Sequence, residues 1–157
     1  MPDMLVRLYD LPDHLPAVAK ARDQGCAIRA AITPERHVVV AWVLKHFSAG
    51  WASECEACFS RLPVSCILAV RGNELVGFAC HEATGKGFLG PMGVAKDFKG
   101  SGLGKALLLA ALHAMREQGY AYAIIGGVGP ADFYSKAAGA IPIPGSEHGI
   151  YKGMLPL

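Results

Sequence analysis

Lys99-Gly100-Ser101-Gly102-Leu103-Gly104-Lys105 places three glycines and two cations at the mouth of a strongly apolar run, Leu103 to Gln118. With no side chain at Gly100, Gly102 or Gly104, an anion can approach the main chain closely. The unpaired N–H groups of a first helical turn then point at it. Lys99 and Lys105 add positive charge on either side. Apolar residues recur at Leu103, Leu107, Ala110 and Ala114, and again at Leu108, Leu112 and Met115. That spacing predicts a helix with a wide buried face, ended by Gly119 at its C′ position.

Two common phosphate loops do not match this stretch. A nucleotide P-loop requires Gly-x-x-x-x-Gly-Lys-Ser/Thr, but Lys99 stands five residues before Gly104, and Ala106 after Lys105 has no hydroxyl for magnesium. The dinucleotide pattern Gly-x-Gly-x-x-Gly meets Lys105 in its third glycine place when started at Gly100, and Leu107 when started at Gly102.

Lys99-x-x-Gly102-x-Gly104 does resemble the acyl-coenzyme A loop of the GNAT acetyltransferases, Arg/Gln-x-x-Gly-x-Gly/Ala between a strand and a helix. Phe88-Leu89-Gly90-Pro91-Met92-Gly93-Val94 resembles that superfamily's fourth strand, and Phe133-Tyr134-Ser135-Lys136 its Phe/Leu-Tyr-Glu-Lys on a later helix. The resemblance runs from about Val64 to Tyr151 and is looser over the first sixty residues. Two departures are visible: Lys99 replaces the usual Arg or Gln, and one extra residue separates Tyr134 from Gly139. Neither removes a main-chain contact to pyrophosphate.

At 157 residues and 52% hydrophobic, the chain suits one compact domain with a substantial core. A formal net charge of +2 with scattered cations points to neither nucleic acid nor an anionic membrane as partner. No apolar stretch is long enough to span a bilayer, and Met1-Pro2-Asp3-Met4 lacks the basic-then-apolar signature of a leader. The expectation is a cytoplasmic protein. An odd count of five cysteines (Cys26, Cys55, Cys58, Cys66, Cys80) in a chain of this size implies reduced thiols. Cys55-Glu56-Ala57-Cys58 has a metal-like gap that His46, Cys66 or His81 would have to complete, but no second Cys-x-x-Cys or His-x-x-x-His accompanies it. Small buried thiols and no metal are expected.

Along the chain, Met4 to Leu11 reads as a strand, and a helix begins near Asp13-His14-Leu15-Pro16 and stops at Gly25. His37 to Phe47 is apolar nearly all round, a core element or an interface, and Trp51 to Arg61 reads as a helix bounded by Pro63. Val64–Val70 and Glu74–Ala83 flank the hairpin chemistry of Arg71-Gly72-Asn73, and Gly87–Val94 continues the meander. Pro91 cannot donate to a ladder, so a bulge or local break is expected there. Tyr120–Gly126 is the next strand, Ala131–Ala138 a short helix, and Ala140–Leu157 supplies one or two short strands. The order implies an α/β or α+β sandwich around a mixed, mostly antiparallel sheet with helices on both faces. The resemblance adds that the family's fourth and fifth strands run parallel and splay apart, so that the thioester enters the gap.

Acyl transfer from a thioester to an amine needs a held donor, a polarised carbonyl, a neutral nucleophile and a proton for the departing thiolate. Gly100, Ser101, Gly102, Leu103, Gly104 and Lys105, with Lys99, are expected on the pyrophosphate. By resemblance, Met92, Gly93 and Val94 offer main-chain groups to the pantetheine arm, a strand N–H near Met92 or Gly93 polarises the carbonyl, and Tyr134 occupies the general-acid position. For the base, His81, Glu54 and Asp132 are candidates that no spacing separates; His81 and Glu54 are carried forward. Trp42, Phe47, Trp51, Glu54 and His81 would give an acceptor pocket an aromatic wall and an acid for a cationic amine.

The resulting expectation is an acetyl-CoA-dependent N-acetyltransferase acting on a small-molecule or peptide amine. A sensor with the same acyl-CoA site and no turnover, or a structural subunit that uses His37–Phe47 as its interface, are the competing readings. The apolar helix also makes a homodimer plausible.

Overall fold

The computed structural model describes residues 1–157. Its centre is a meander of three antiparallel strands, β3 (Cys66–Arg71), β4 (Glu74–His81) and β5 (Phe88–Val94). Gly72, at φ +61°, opens the two-residue turn between β3 and β4, a conformation that favours glycine. The edge beyond β3 is taken by β2 (Cys26–Ala30), which the sequence did not announce. Only Cys26 of that strand is buried, so its apolar alternation is weak.

On the other side β5 pairs in parallel with β6 (Tyr122–Ile125), the one parallel contact in a seven-stranded sheet ordered β2-β3-β4-β5-β6-β1-β7. β1 (Met4–Arg7) lies antiparallel to β6, far from β2, and β7 is only Ile141–Pro142. The first strand stops four residues short of its expected end, because Leu8–Asp10 turn as a 3-10 helix that drops Leu8 into the core.

Helices cover both faces. α1 (Leu15–Asp23) and α4 (Leu103–Glu117) pack on one, where α4 buries Leu103, Leu107, Leu108, Leu112 and Met115 as the spacing required. α5 (Ala131–Ala138) joins the same apolar cluster and ends at Gly139, φ +66°. α2 (Arg36–His46) and α3 (Ala49–Cys58) pack on the opposite face against Cys66, Leu68 and Phe78. Ser48 caps α3, its hydroxyl accepting from the Trp51 N–H at 3.2 Å. Of the two alternatives its composition suggested, a core element or an interface, α2 meets the first only along one stripe. It buries Val39 and Val43 alone, because it rests on α3 along one stripe, and Val38 and Leu44 are each 55% exposed.

Candidate active site

β5 and β6 stay in register only at Phe88↔Ile124 and Leu89↔Ile125. At the next residues, Gly90 and Pro91, the β4–β5 register slips: two steps on β4, Ala79 to His81, oppose three on β5, Met92 to Leu89. The bulge falls at Pro91 because proline offers no N–H to the ladder. Beyond it β5 keeps β4 on one side and loses β6 on the other. The main-chain N–H of Ala95 donates to Val76, which makes Gly93 the hydrogen-bonded partner of Phe78. The N–H and C=O groups of Met92 and Val94 therefore face the gap. A Cβ on Gly93 would run into the Phe47 ring, so glycine lets the aromatic wall close on the strand.

The gap widens into a cleft of about 1400 Å³. One end is the glycine loop. Gly100 (φ +79°) and Gly102 (φ +89°) are left-handed, and Gly102 is the N-cap of α4. The N–H groups of Gly102, Gly104 and Lys105 find no acceptor in the protein, whereas Leu103 N–H donates to Ser101 Oγ at 3.4 Å. A Cβ at Gly104 would meet Phe133 at 3.5 Å. Free donors at a helix N-terminus, no side chains in the way and lysines at the rim fit a diphosphate. Sequence reading placed Lys99 and Lys105 there and missed α1. Lys20 Nζ lies 3.3 Å from where a Gly102 Cβ would be, and Gln24 Nε2 donates to Ser101 O at 2.9 Å. No sequence spacing links those residues to a loop some eighty positions later.

Midway along the cleft stands Tyr134, 9% exposed, held on α5 with its ring edge-on to Phe133 at 5.1 Å. Burial pushes its phenol above the ordinary tyrosine range, so the hydroxyl stays protonated at neutral pH. At the far end Glu54 accepts a hydrogen bond from Thr84 Oγ1 at 2.5 Å. Phe47 and Trp51, stacked with centroids 5.0 Å apart, form its apolar wall. Tyr151, which sequence reading assigned no role, closes the same end beside Thr84. Burial raises its phenol, and the Glu54 charge raises it further.

The structure thus gathers Met92–Val94, Lys99, Gly100, Gly102, Gly104, Lys105, Tyr134, Glu54, Phe47 and Trp51 around one cleft; of the expected loop residues, Ser101 is outside its lining and Leu103 is buried in the core. Trp42 sits outside it, stacked on His46 at 4.3 Å and edge-on to Phe78. His81 is 2% exposed and does not line the cleft; its Nδ1 has no hydrogen-bond partner, and burial holds the imidazole below the usual histidine range. Asp132 is exposed at the start of α5 and is also outside the cleft lining.

A family model described as the acetyltransferase (GNAT) family matches residues 36–139. The chain belongs to the GNAT acetyltransferases. Acyl transfer is the general chemistry of this family, and its members use acetyl-CoA in general. Among solved structures, the GNAT chain overlays a glucosamine N-acetyltransferase region of a fungal multi-domain β-N-acetylglucosaminidase with a TM-score of 0.73 at 17% identity. That match covers 90% of this chain and 19% of the other. It also overlays a GCN5-related N-acetyltransferase from Sphaerobacter thermophilus with a TM-score of 0.65 at 19% identity, covering 90% of this chain and 48% of that one. The chain therefore spans less than half of either neighbour. At these identities the likeness establishes the fold. No curated protein matches the sequence significantly, and no helix is long and apolar enough to cross a membrane.

Proposed function

We propose that this protein transfers an acetyl group from acetyl-CoA directly to an amine. The observation that carries the reading is the continuity of one cleft from the free N–H groups of the Gly102–Lys105 turn, past Tyr134, to Glu54. Each station answers one requirement of the reaction.

The turn and its lysines hold the diphosphate. The outward main-chain groups of Met92 and Val94 take the place of a sheet neighbour for an extended amide arm, and the N–H of Met92 is the donor for the thioester carbonyl. Tyr134 supplies the proton to the leaving thiolate; its raised pKa keeps that proton available across neutral pH. Glu54 holds the cationic amine before reaction and accepts its proton through water, with Thr84 fixing the carboxylate. The half-buried aromatic wall of Phe47 and Trp51 excludes water on one side and suits the carbon next to a cationic nitrogen. A small amine or the amino group of a peptide meets these demands.

The test is thiol release from acetyl-CoA with amines, polyamines, amino acids, aminoglycosides and peptides as acceptors. An amine-dependent rate above the background hydrolysis of acetyl-CoA supports transfer. Tight binding with no acceleration by any amine would reduce the protein to an acyl-CoA-binding module.

A further inference from the structure

Four of the five cysteines share the buried cluster under α3, outside the cleft lining, and three of them converge. Cys55 and Cys58 are one turn apart on α3, and Cys66 and Cys80 face each other across β3 and β4. The His81 N–H donates to Ser65 O at 2.9 Å, which makes Cys66 and Cys80 a non-hydrogen-bonded pair, the kind whose side chains approach most closely. Their sulfurs are 4.0 Å apart. The Sγ atoms of Cys55, Cys66 and Cys80 all lie within 4.8 Å of one another. Cys58 packs in the same buried cluster, its thiol directed at the Glu54 carbonyl oxygen at 3.7 Å and at that of His81, the neighbour of Cys80, at 3.9 Å. All four residues are 0% exposed.

We propose that Cys55, Cys58, Cys66 and Cys80 form a four-thiolate zinc site that fastens α3 to β3 and β4. Tetrahedral ligands at a Zn–S distance near 2.3 Å are about 3.8 Å apart, so Cys55, Cys66 and Cys80 need only small adjustments to close on an ion, and Cys58 completes the tetrahedron by turning its thiol from the Glu54 and His81 carbonyls. Loading exchanges four S–H protons for one Zn²⁺; the protons pass to water and no electron moves. The sulfurs keep two excess negative charges.

Burial decides against oxidation as the use of these thiols. An oxidant cannot reach sulfurs with no exposed surface, whereas a metal is captured as the helix and strands come together. The single Cys-x-x-Cys of the sequence gave no reason to expect an ion. The register of β3 and β4 supplies the second pair. Cys26 belongs to the apolar cluster on the opposite face of the sheet and serves as an internal control.

The experiment uses the full chain, produced with added zinc and purified under reducing conditions without chelator. Elemental analysis should give one zinc per chain, retained in Cys26→Ser and lost in Cys66→Ser. Because a core substitution can also impair folding, the wild-type protein is tested separately. Apo protein titrated with Co²⁺ should develop thiolate-to-cobalt charge-transfer absorption and tetrahedral d–d bands that one equivalent of zinc abolishes. Metal content far below one per chain, absence of those bands at saturating cobalt, or zinc retained by Cys66→Ser would each overturn the site. So would fewer than five free thiols in the unfolded, metal-free chain, which would show that the cysteines pair as a disulfide instead.

Discussion

Lys20 Nζ stands 3.3 Å from the point that a Cβ on Gly102 would occupy. An exposed lysine on the first helix thereby lies over the left-handed glycine that starts α4, its ammonium beside the free N–H groups that would take a diphosphate. Lys20→Ala should weaken acetyl-CoA binding by roughly 3- to 10-fold, an effect that shrinks with added salt because the charge is screened by solvent. Gly102→Val should abolish binding, since its side chain pushes Lys20 aside and covers the main-chain donors of the turn. Calorimetry checks both, alongside circular dichroism, because valine at φ +89° is strained. Unchanged affinity in both variants, with native spectra, would remove the loop from the binding site.

Tyr134→Phe removes only the hydroxyl and keeps the ring on Phe133. If the phenol protonates the leaving thiolate, kcat should drop by about 10- to 1,000-fold with little change in acetyl-CoA affinity. Steady-state kinetics at saturating acetyl-CoA from pH 6 to 9 make the comparison. Wild-type turnover in the variant would leave that proton to water.

For Glu54 the expected signature is in the acceptor. Glu54→Gln keeps a group that can accept from Thr84 but loses the charge, so KM for a cationic amine should rise by roughly 10-fold or more while KM for acetyl-CoA stays constant. Equal changes in both would place Glu54 in a structural role.

His81 makes a prediction about stability rather than turnover. Its imidazole is held below the ordinary range by burial, so the unfolded chain takes up the proton first as pH falls. The stability tied to this group is complete above the unfolded value near 6.5 and is lost as pH falls below it toward the folded value, at up to about 1.4 kcal/mol per pH unit. Urea unfolding at pH 8 and pH 5.5 should show a smaller pH-dependent loss for His81→Gln than for the wild type. An identical loss in the two proteins would mean that His81 is not the group responsible.

Local chemistry made much of this protein legible in its sequence. The period of Leu103–Met115 fixed α4, Gly72 fixed the β3–β4 turn, Pro91 fixed the bulge, and the spacing of Gly100, Gly102 and Gly104 marked the left-handed turn at the head of α4. Each depends on a backbone preference or a periodicity that a few neighbouring residues impose. Tyr134 was singled out differently, by the resemblance of Phe133-Tyr134-Ser135-Lys136 to a family motif.

Contacts between distant segments were decided only by the tertiary fold. β2 was missed because an edge strand with one buried side chain carries little alternation, and α2 was left between core element and interface because an apolar composition does not say which stripe finds a partner. Nothing local brings Lys20 to Gly102, or separates Glu54 in the cleft from His81, buried at the end of β4. The four cysteines are the clearest instance. Their spacing along the chain shows one pair, and it is strand register that sets Cys66 opposite Cys80 under α3, because hydrogen bonding between strands positions residues by pairing and not by distance in sequence.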